Sequence, residues 1–383
     1  MHKLICIYLS FSLLLLLTGC SDALELNRRA FVMGVALDET EEGKVMLTTQ
    51  VYTPSPQDGI GNKGKIYHNV RTTDDTVVQA LRDIPIHIGR KAHWGHLRSI
   101  VIGEELARNK GIAEILEFFY RDHEPRITSS IMISKGKAAD YLEKEPWMEM
   151  TPGQQMLVNE EASAKFSNKT IKTTLLTLIL QMRSEVGNSF IPQVYIEEKH
   201  ETPSTSVAGI FLLKKDKLIG HLPPGNIASL QIIRNEYQGG MFQLLPCQTE
   251  PDNIEVVEVV SSQTTLQPVI KDDSLIVQVS NKMEVALQEL KCSNTDKPEK
   301  ENEFVERLEQ ELKKELKETV TLLQEKQFDA IDLGNKVYSQ DPALWKSWKN
   351  NWDQRFADSD FEFEVKIRII THGTTSGKPV FSE

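Results

Sequence analysis

Cysteine is scarce in this 383-residue chain: four residues, at positions 6, 20, 247 and 292, cannot form a disulfide scaffold for a protein of this size. Aromatic residues make up only 7%. No tract is low in complexity, and Gly and Pro follow no period, which excludes collagen-like and mucin-like classes. No apolar run reaches the roughly 20 residues that a membrane-spanning helix needs. Positive charge is in deficit, with 44 Lys plus Arg against 55 Asp plus Glu and a formal net charge of −11. Neither a nucleic acid nor an anionic lipid surface is therefore the expected main electrostatic partner. The signatures G-x-S-x-G, H-E-x-x-H and C-x-x-C are missing, so no enzyme is nominated.

What remains, 40% hydrophobic and 26% charged residues, describes a folded chain long enough for two or three domains. Its first informative feature is the N-terminus. Lys3 is the one formal charge before an apolar run from Leu4 to Leu17 that only Ser10 and Ser12 interrupt, which is the length of a secretory h-region. The run ends in Leu17-Thr18-Gly19-Cys20, which resembles the lipobox of bacterial lipoproteins. In that class the Cys thiol takes a diacylglyceryl group, the chain is cut before it, and the new N-terminus is acylated. Residues 1–19 are thus expected to be removed and Cys20 to be the lipidation site, with enough fatty chains for stable anchoring.

Beyond the anchor, Ala30 to Leu37 and Lys44 to Tyr52 read as a hairpin, followed by a strand over Ile66 to Arg71. A helix capped by Asp74 or Asp75 and carrying Val77, Val78, Leu81 and Ile84 comes next. A strand over Leu97 to Ile102, a helix over Glu105 to Tyr120, a strand over Ile127 to Ser134 and a short helix over Ala138 to Leu142 complete a β-β-β-α-β-α-β-α order. Residues 151 to 186 turn helical, with Leu175, Leu176, Leu178, Ile179 and Met182 on the apolar side. The polar stretch Glu197 to Ser206 is the expected boundary. A hairpin over Val207 to Leu222 follows, then strands near 240–245, 254–260 and 275–285. A long helix from about Glu299 to Gln327 sets Phe304, Leu308, Leu312, Leu316, Val320 and Leu323 on one face, as for a helix laid on its own domain's sheet. A Trp-containing helix, Ala343 to Phe356, and a strand, Phe361 to Ile370, close the chain. The fold class is α+β and multi-domain, with mixed and antiparallel sheets packed with helices.

Several letter patterns invite chemistry. Gly59-Ile60-Gly61-Asn62-Lys63-Gly64 spells G-x-G-x-x-G but leads into a strand, leaving no helix N-terminus for a phosphate. His87, His93 and His96 lie close together without a Cys or carboxylate at ligand spacing, and read as structural histidines. Glu160 with Glu161, and Asp272 with Asp273, read as surface pairs. Arg121, Asp122, Glu124 and Arg126 form a charged cluster that reads as an internal ion-pair network or, alternatively, an interface. Cys247 and Cys292 are left open as a pair; a bridge closing their roughly 45-residue loop would contribute about 4 kcal/mol. No residue set calls for a cofactor or a metal.

Four segments, in order, resemble the Ger(x)C family, lipoprotein C subunits of nutrient germinant receptors in endospore-forming bacteria. The first is Cys20 to Asn27 (CSDALELN), with Ser21 where the family pattern has Trp, running into Val32 to Asp38. The second is His96 to Arg108, continuing through Phe118 to Arg126 (FFYRDHEPR). The third is the hairpin Gly209 to Gly220 (GIFLLKKDKLIG). The fourth is Phe328 to Gly334, then Trp345, Trp352 and Gly373. The resemblance implies a non-enzymatic subunit held by lipid on the outer face of the spore inner membrane, beside polytopic A- and B-type partners and without nucleic acid. Its domains would be 20–200 and 205–383, the latter a hairpin-rich subdomain of about 205–250 and a sheet with a long helix over about 253–383. A solute-binding lipoprotein of an importer is the alternative; it calls for two doubly wound lobes.

Overall fold

The computed structural model describes residues 25–53, 66–198, 203–244, 254–271, 273–373, 377 and 379. Cys20, the 59–64 motif, Cys247 and Asp272 lie outside them.

The chain opens with β1 (Arg29–Glu39), β2 (Val45–Tyr52) and β3 (Tyr67–Asp74), then α1 (Val77–Ile88), β4 (Lys91–His93) and β5 (Ser99–Gly103). There follow α2 (Glu104–Asn109), α3 (Ile112–Arg121), β6 (Ser130–Ser134), α4 (Ala139–Glu143), α5 (Pro152–Ala162), α6 (Leu175–Met182) and β7 (Asn188–Glu197). The hairpin β8 (Ser204–Lys214) and β9 (Lys217–Leu222) precedes α7 (Ile227–Ile233), β10 (Gly240–Leu244), β11 (Glu255–Lys271) and β12 (Ser274–Glu289). Helices α8 (Pro298–Glu325), α9 (Leu333–Gln340), α10 (Pro342–Trp348) and α11 (Trp352–Ala357) lead to β13 (Asp360–Thr371).

The strands form two sheets. The first runs β3-β2-β1-β5-β6-β7-β8-β9 with β4 beside β1, and the second β10-β11-β12-β13. In the first, β1, β5, β6 and β7 are parallel neighbours and the flanking pairs are antiparallel. Both sheets are therefore mixed, the α+β architecture expected, and neither is a doubly wound parallel sheet.

Burial explains why the central strands are apolar without alternation. Val32, Val35 and Leu37 of β1 pack with Ile84 of α1 and Ile115 of α3 on one face of the sheet. Ala36 packs with Met132, Tyr141, Leu142 and Met156 on the other. Helix α5 approaches the strand backbone closely: a Cβ at Gly153 would stand 2.8 Å from the Met33 carbonyl oxygen and 3.1 Å from the Gly34 Cα.

The stretch from Glu197 to Ser206 is no boundary between the sheets. It joins β7 to its antiparallel neighbour β8, so the hairpin expected to open the second half belongs to the first sheet. Strand periodicity gives the hairpin to two cores at once: Phe211 and Leu213 face the first, while Ile210 and Leu212 face the second. The second core is closed by α8, whose six-residue stripe is buried as expected. Each four-residue step overshoots a turn by about 40°, so the stripe curls around the helix and follows the twist of the sheet beneath.

Four helices differ from expectation. The span 105–120 is two helices because Gly111 breaks it; there the Ile112 N–H donates to Asp216 O at 2.9 Å. The Trp-bearing segment divides at a 3-10 turn, Lys349–Asn351. On α1 the cap is Thr76 and Val78 is exposed, its inward place taken by Ala80. Leu176 likewise points outward.

Candidate functional site

Of the three histidines singled out in the sequence, His87 is exposed, while His93 and His96 make contacts within the fold. His93 Nδ1 stands 3.1 Å from Glu124 Oε2 and 3.4 Å from an Arg29 guanidinium nitrogen. The two contacts exclude each other: a protonated Nδ1 donates to Glu124, and an unprotonated one accepts from Arg29. The same Glu124 oxygen accepts the Trp94 N–H at 3.1 Å. Burial alone would raise the Glu124 carboxyl, but the Trp94 N–H and His93 outweigh it and hold it below its ordinary range. His93 and His96 both meet Phe31 edge-on, at centroid distances of 5.7 and 5.2 Å. Burial first, then the nearby His93, Arg126 and Arg98, lowers His96. Among the described residues no group of three His, Cys, Asp or Glu is placed to hold a metal ion.

The charged cluster at 121–126 divides. Arg121 pairs with Glu117 one turn back, Asp122 accepts the Glu124 N–H at 2.8 Å, Glu124 turns inward, and Arg126 stays at the surface.

Glu160 corrects the reading of Glu160–Glu161 as a surface pair. Adjacent helical residues point about 100° apart, so only Glu161 reaches solvent, where it pairs with Lys172. Glu160 is buried, accepts the Thr173 N–H at 2.9 Å and hydrogen-bonds the Ser130 hydroxyl. Burial pushes its carboxyl up to about 8. Ser130 is itself buried, so the pair offers no substrate a path.

The other buried carboxylates are committed to backbone. Asp38 accepts the Ala138 and Ala139 N–H groups, at 2.6 and 2.9 Å. Glu255 accepts the Ser293 hydroxyl and gathers the N–H groups of Lys291, Cys292 and Ser293, which together outweigh burial and hold it low. Asp329 accepts from Ile331, Leu333 and Gly334 and from the Trp352 indole. Cys292 is disulfide-bonded. These arrangements fix loops in place.

What the surface offers instead is apolar. Met148 is 90% exposed, Phe166 73% and Met150 63%, with Trp147 also exposed. They rim two clefts around α5: one of about 440 Å³ between Trp147, Phe166 and Val207, the other of about 430 Å³ between Phe31, Tyr52 and Met150. A contiguous exposed rim of large apolar side chains suits protein or lipid contact. Sequence reasoning missed this rim, although Trp147-Met148-Glu149-Met150 between two prolines is a visible signal.

Comparison with known proteins assigns the chain. The model of the spore germination protein N-terminal domain matches residues 22–196, and that of the spore germination B3/GerAC-like C-terminal domain matches residues 208–373. The chain belongs to the Ger(x)C family. Ger(x)C relatives from Bacillus subtilis (strain 168) align along nearly their whole length. Spore germination protein B3 is 28% identical, covering 95% of this chain and 96% of its own. Spore germination protein YndF is 25% identical, covering 94% and 95%. A crystal structure of the GerBC protein shares the fold, with a TM-score of 0.58, 22% identity and coverage of 88% of this chain and 97% of that one. The first Ger(x)C match ends in β7 and the second begins in β8, so the family's sequence division falls between two strands paired in one sheet. Among the described residues no helix is long and apolar enough to cross a membrane.

Proposed function

We propose that this chain is the lipid-anchored C-type subunit of a spore nutrient germinant receptor. It acts by contact with polytopic A- and B-type subunits at the outer face of the spore inner membrane. One observation carries the reading: the two Ger(x)C models run in order along the chain, and the first begins at residue 22, directly after the Leu17-Thr18-Gly19-Cys20 sequence. Geometry supports a contact role over a catalytic one, since the buried carboxylates are taken up by hydrogen bonds within the fold and the exposed rim at Trp147, Met148, Met150 and Phe166 is of the kind that partners cover.

The test has two arms. Intact mass of the protein from spore membranes should show a glycerolipid on a chain beginning at Cys20, and Cys20→Ser should no longer sediment with membranes after a high-salt wash. Affinity capture from solubilised membranes should recover polytopic partners. A bare polypeptide mass would end the anchoring reading, and capture without any polytopic partner, together with normal nutrient germination in a deletion strain, would end the receptor reading.

A further inference from the structure

The first sheet is electrically polarised along its strands. Strands β1, β4, β5 and β6 run parallel, so their starts share one end of the sheet. Residues far apart in sequence meet there: Arg28 and Arg29 enter β1, Arg90 and Lys91 enter β4, with Arg29 opposite Lys91 in register, and Arg126 precedes β6. Arg28, Arg90, Lys91 and Arg126 are exposed, and Arg28, Arg90 and Arg126 make no ion pair among the described residues. Among the described residues Glu25, Asp122, Glu124 and Glu149 are acidic groups nearby; Glu124 is engaged with His93 and Trp94, and Glu149 lines the cleft beside Phe31 and His96. Helices α1 and α3 also end here, and their C-terminal carbonyls offset part of the positive charge. The balance stays positive in a chain whose net charge is −11.

The opposite end is acidic on balance, with Glu39, Glu41, Glu42, Glu104 and Glu105 around the β1–β2 turn and the start of α2, where Lys44, Arg108 and Lys137 offset part of the charge. Eleven residues of β1 separate the ends by about 35 Å, several Debye lengths at physiological salt, so neither charge cancels the other at a nearby surface. The basic end also exposes large apolar side chains: Leu26 at 73%, Ile86 at 75% and Ile127 at 53%. Interfacial surfaces combine these two features, cations for anionic headgroups and apolar groups that enter the headgroup boundary.

We infer that this basic end is the face that lies on the membrane, with anionic phospholipid headgroups as its occupant. Chain length adds the second argument, resting on the anchoring reading above. Six residue steps join Cys20 to Leu26 and span at most about 22 Å even when fully extended, so a lipidated Cys20 holds the start of β1 near the bilayer. The charge that a whole-chain count hides is concentrated where the tether ends. The expectation that an anionic lipid surface is not the main electrostatic partner rests on the net charge of −11 over the whole chain, and the basic end alone departs from it.

The experiment uses the lipidated protein in vesicles of phosphatidylcholine containing photoreactive phosphatidylglycerol, with cross-linked peptides identified by mass spectrometry. Peptides containing Arg90–Lys91 and Arg126–Ile127 should carry the lipid, and those containing Glu41–Glu42 and Glu104–Glu105 should not. Arg90→Glu with Arg126→Glu should lose that preference at an unchanged melting temperature. A glycerolipid on Cys20 with cross-links spread evenly, or gathered at the acidic end, would overturn this orientation while leaving the anchor intact. Cross-links at the basic end that the double reversal does not reduce would overturn the electrostatic basis. A bare polypeptide mass would remove the anchor, and the inference with it.

Discussion

The Glu160 carboxylate on α5 accepts the Thr173 N–H at 2.9 Å, joining a helix on one face of the sheet to the segment that bridges to the start of β6. Its second oxygen meets the Ser130 hydroxyl, so the side chain is satisfied on both sides while fully buried. Burial makes the neutral acid the favoured form, with a folded value of about 8 against an ordinary 4.5.

That shift fixes a pH dependence. Below pH 4.5 both the folded and unfolded chains carry the proton, and the contribution is fully present. As pH rises toward 8 the unfolded chain gives up the proton while the folded one keeps it, so stability falls across that window. Glu160→Gln mimics the neutral acid, because its carbonyl accepts from Thr173 and its amide donates to Ser130. Urea melts should show the variant close to wild type near pH 4.5 and more stable by a few kcal/mol near pH 8, at about 1.4 kcal/mol per unit. A constant difference at all pH values would show that Glu160 does not titrate.

The same change has the opposite sign at Asp329. Both of its oxygens accept from fixed donors, Oδ1 from Ile331 and Leu333 and Oδ2 from Gly334 and the Trp352 indole. An amide there turns its NH2 toward two N–H donors, and neither can rotate to accept. Asp329→Asn should destabilise by about 2–4 kcal/mol, on the scale of one or two unsatisfied buried groups. Near-UV circular dichroism should register it, because Trp345 and Trp352 pack beside Gly334.

The difference between these carboxylates shows what the sequence could reveal. Periodicity identified the α8 stripe and most strands, because burial on one face writes a repeat that composition preserves. It could not show that Glu160 points inward, since the stripe of α5 is weak and Glu160 is polar. Nor could it place β8 and β9, whose Val207 to Leu213 run is apolar because two cores share it. The basic end of the sheet was invisible for a related reason: Arg28, Arg90 and Arg126 become neighbours only through parallel pairing. The fourth segment of the family resemblance includes Asp329, whose carboxylate is taken up by backbone and indole N–H groups, and Gly334, where a Cβ would stand 2.8 Å from Trp345 and Trp352.

Close packing of α5 on β1 gives a third expectation. Gly153→Ala places a methyl 2.8 Å from the Met33 carbonyl oxygen, and the backbone on either side cannot yield as a flexible side chain would. Thermal melts should show a loss of about 1–3 kcal/mol. Gly225→Ala is the control: nothing lies within 4 Å of its Cβ position, and its stability should change little.

The apolar rim separates contact from folding. Met148 is 90% exposed, so Met148→Glu removes no core packing and should change stability by no more than about 0.5 kcal/mol. If the rim is covered by a partner, the new carboxylate is buried without a counter-charge on assembly, and complex formation carries that cost. Membrane association through Cys20 should persist while co-purification of polytopic partners falls. Lys165→Glu, a change of greater charge beside Phe166 on a residue that is already polar and exposed, tests whether the rim or the general field is responsible. Equal loss in both variants would point to the field, whereas loss in Met148→Glu alone assigns the contact to the rim. Retained partners in both would leave the Met148 and Phe166 side chains outside the assembly surface.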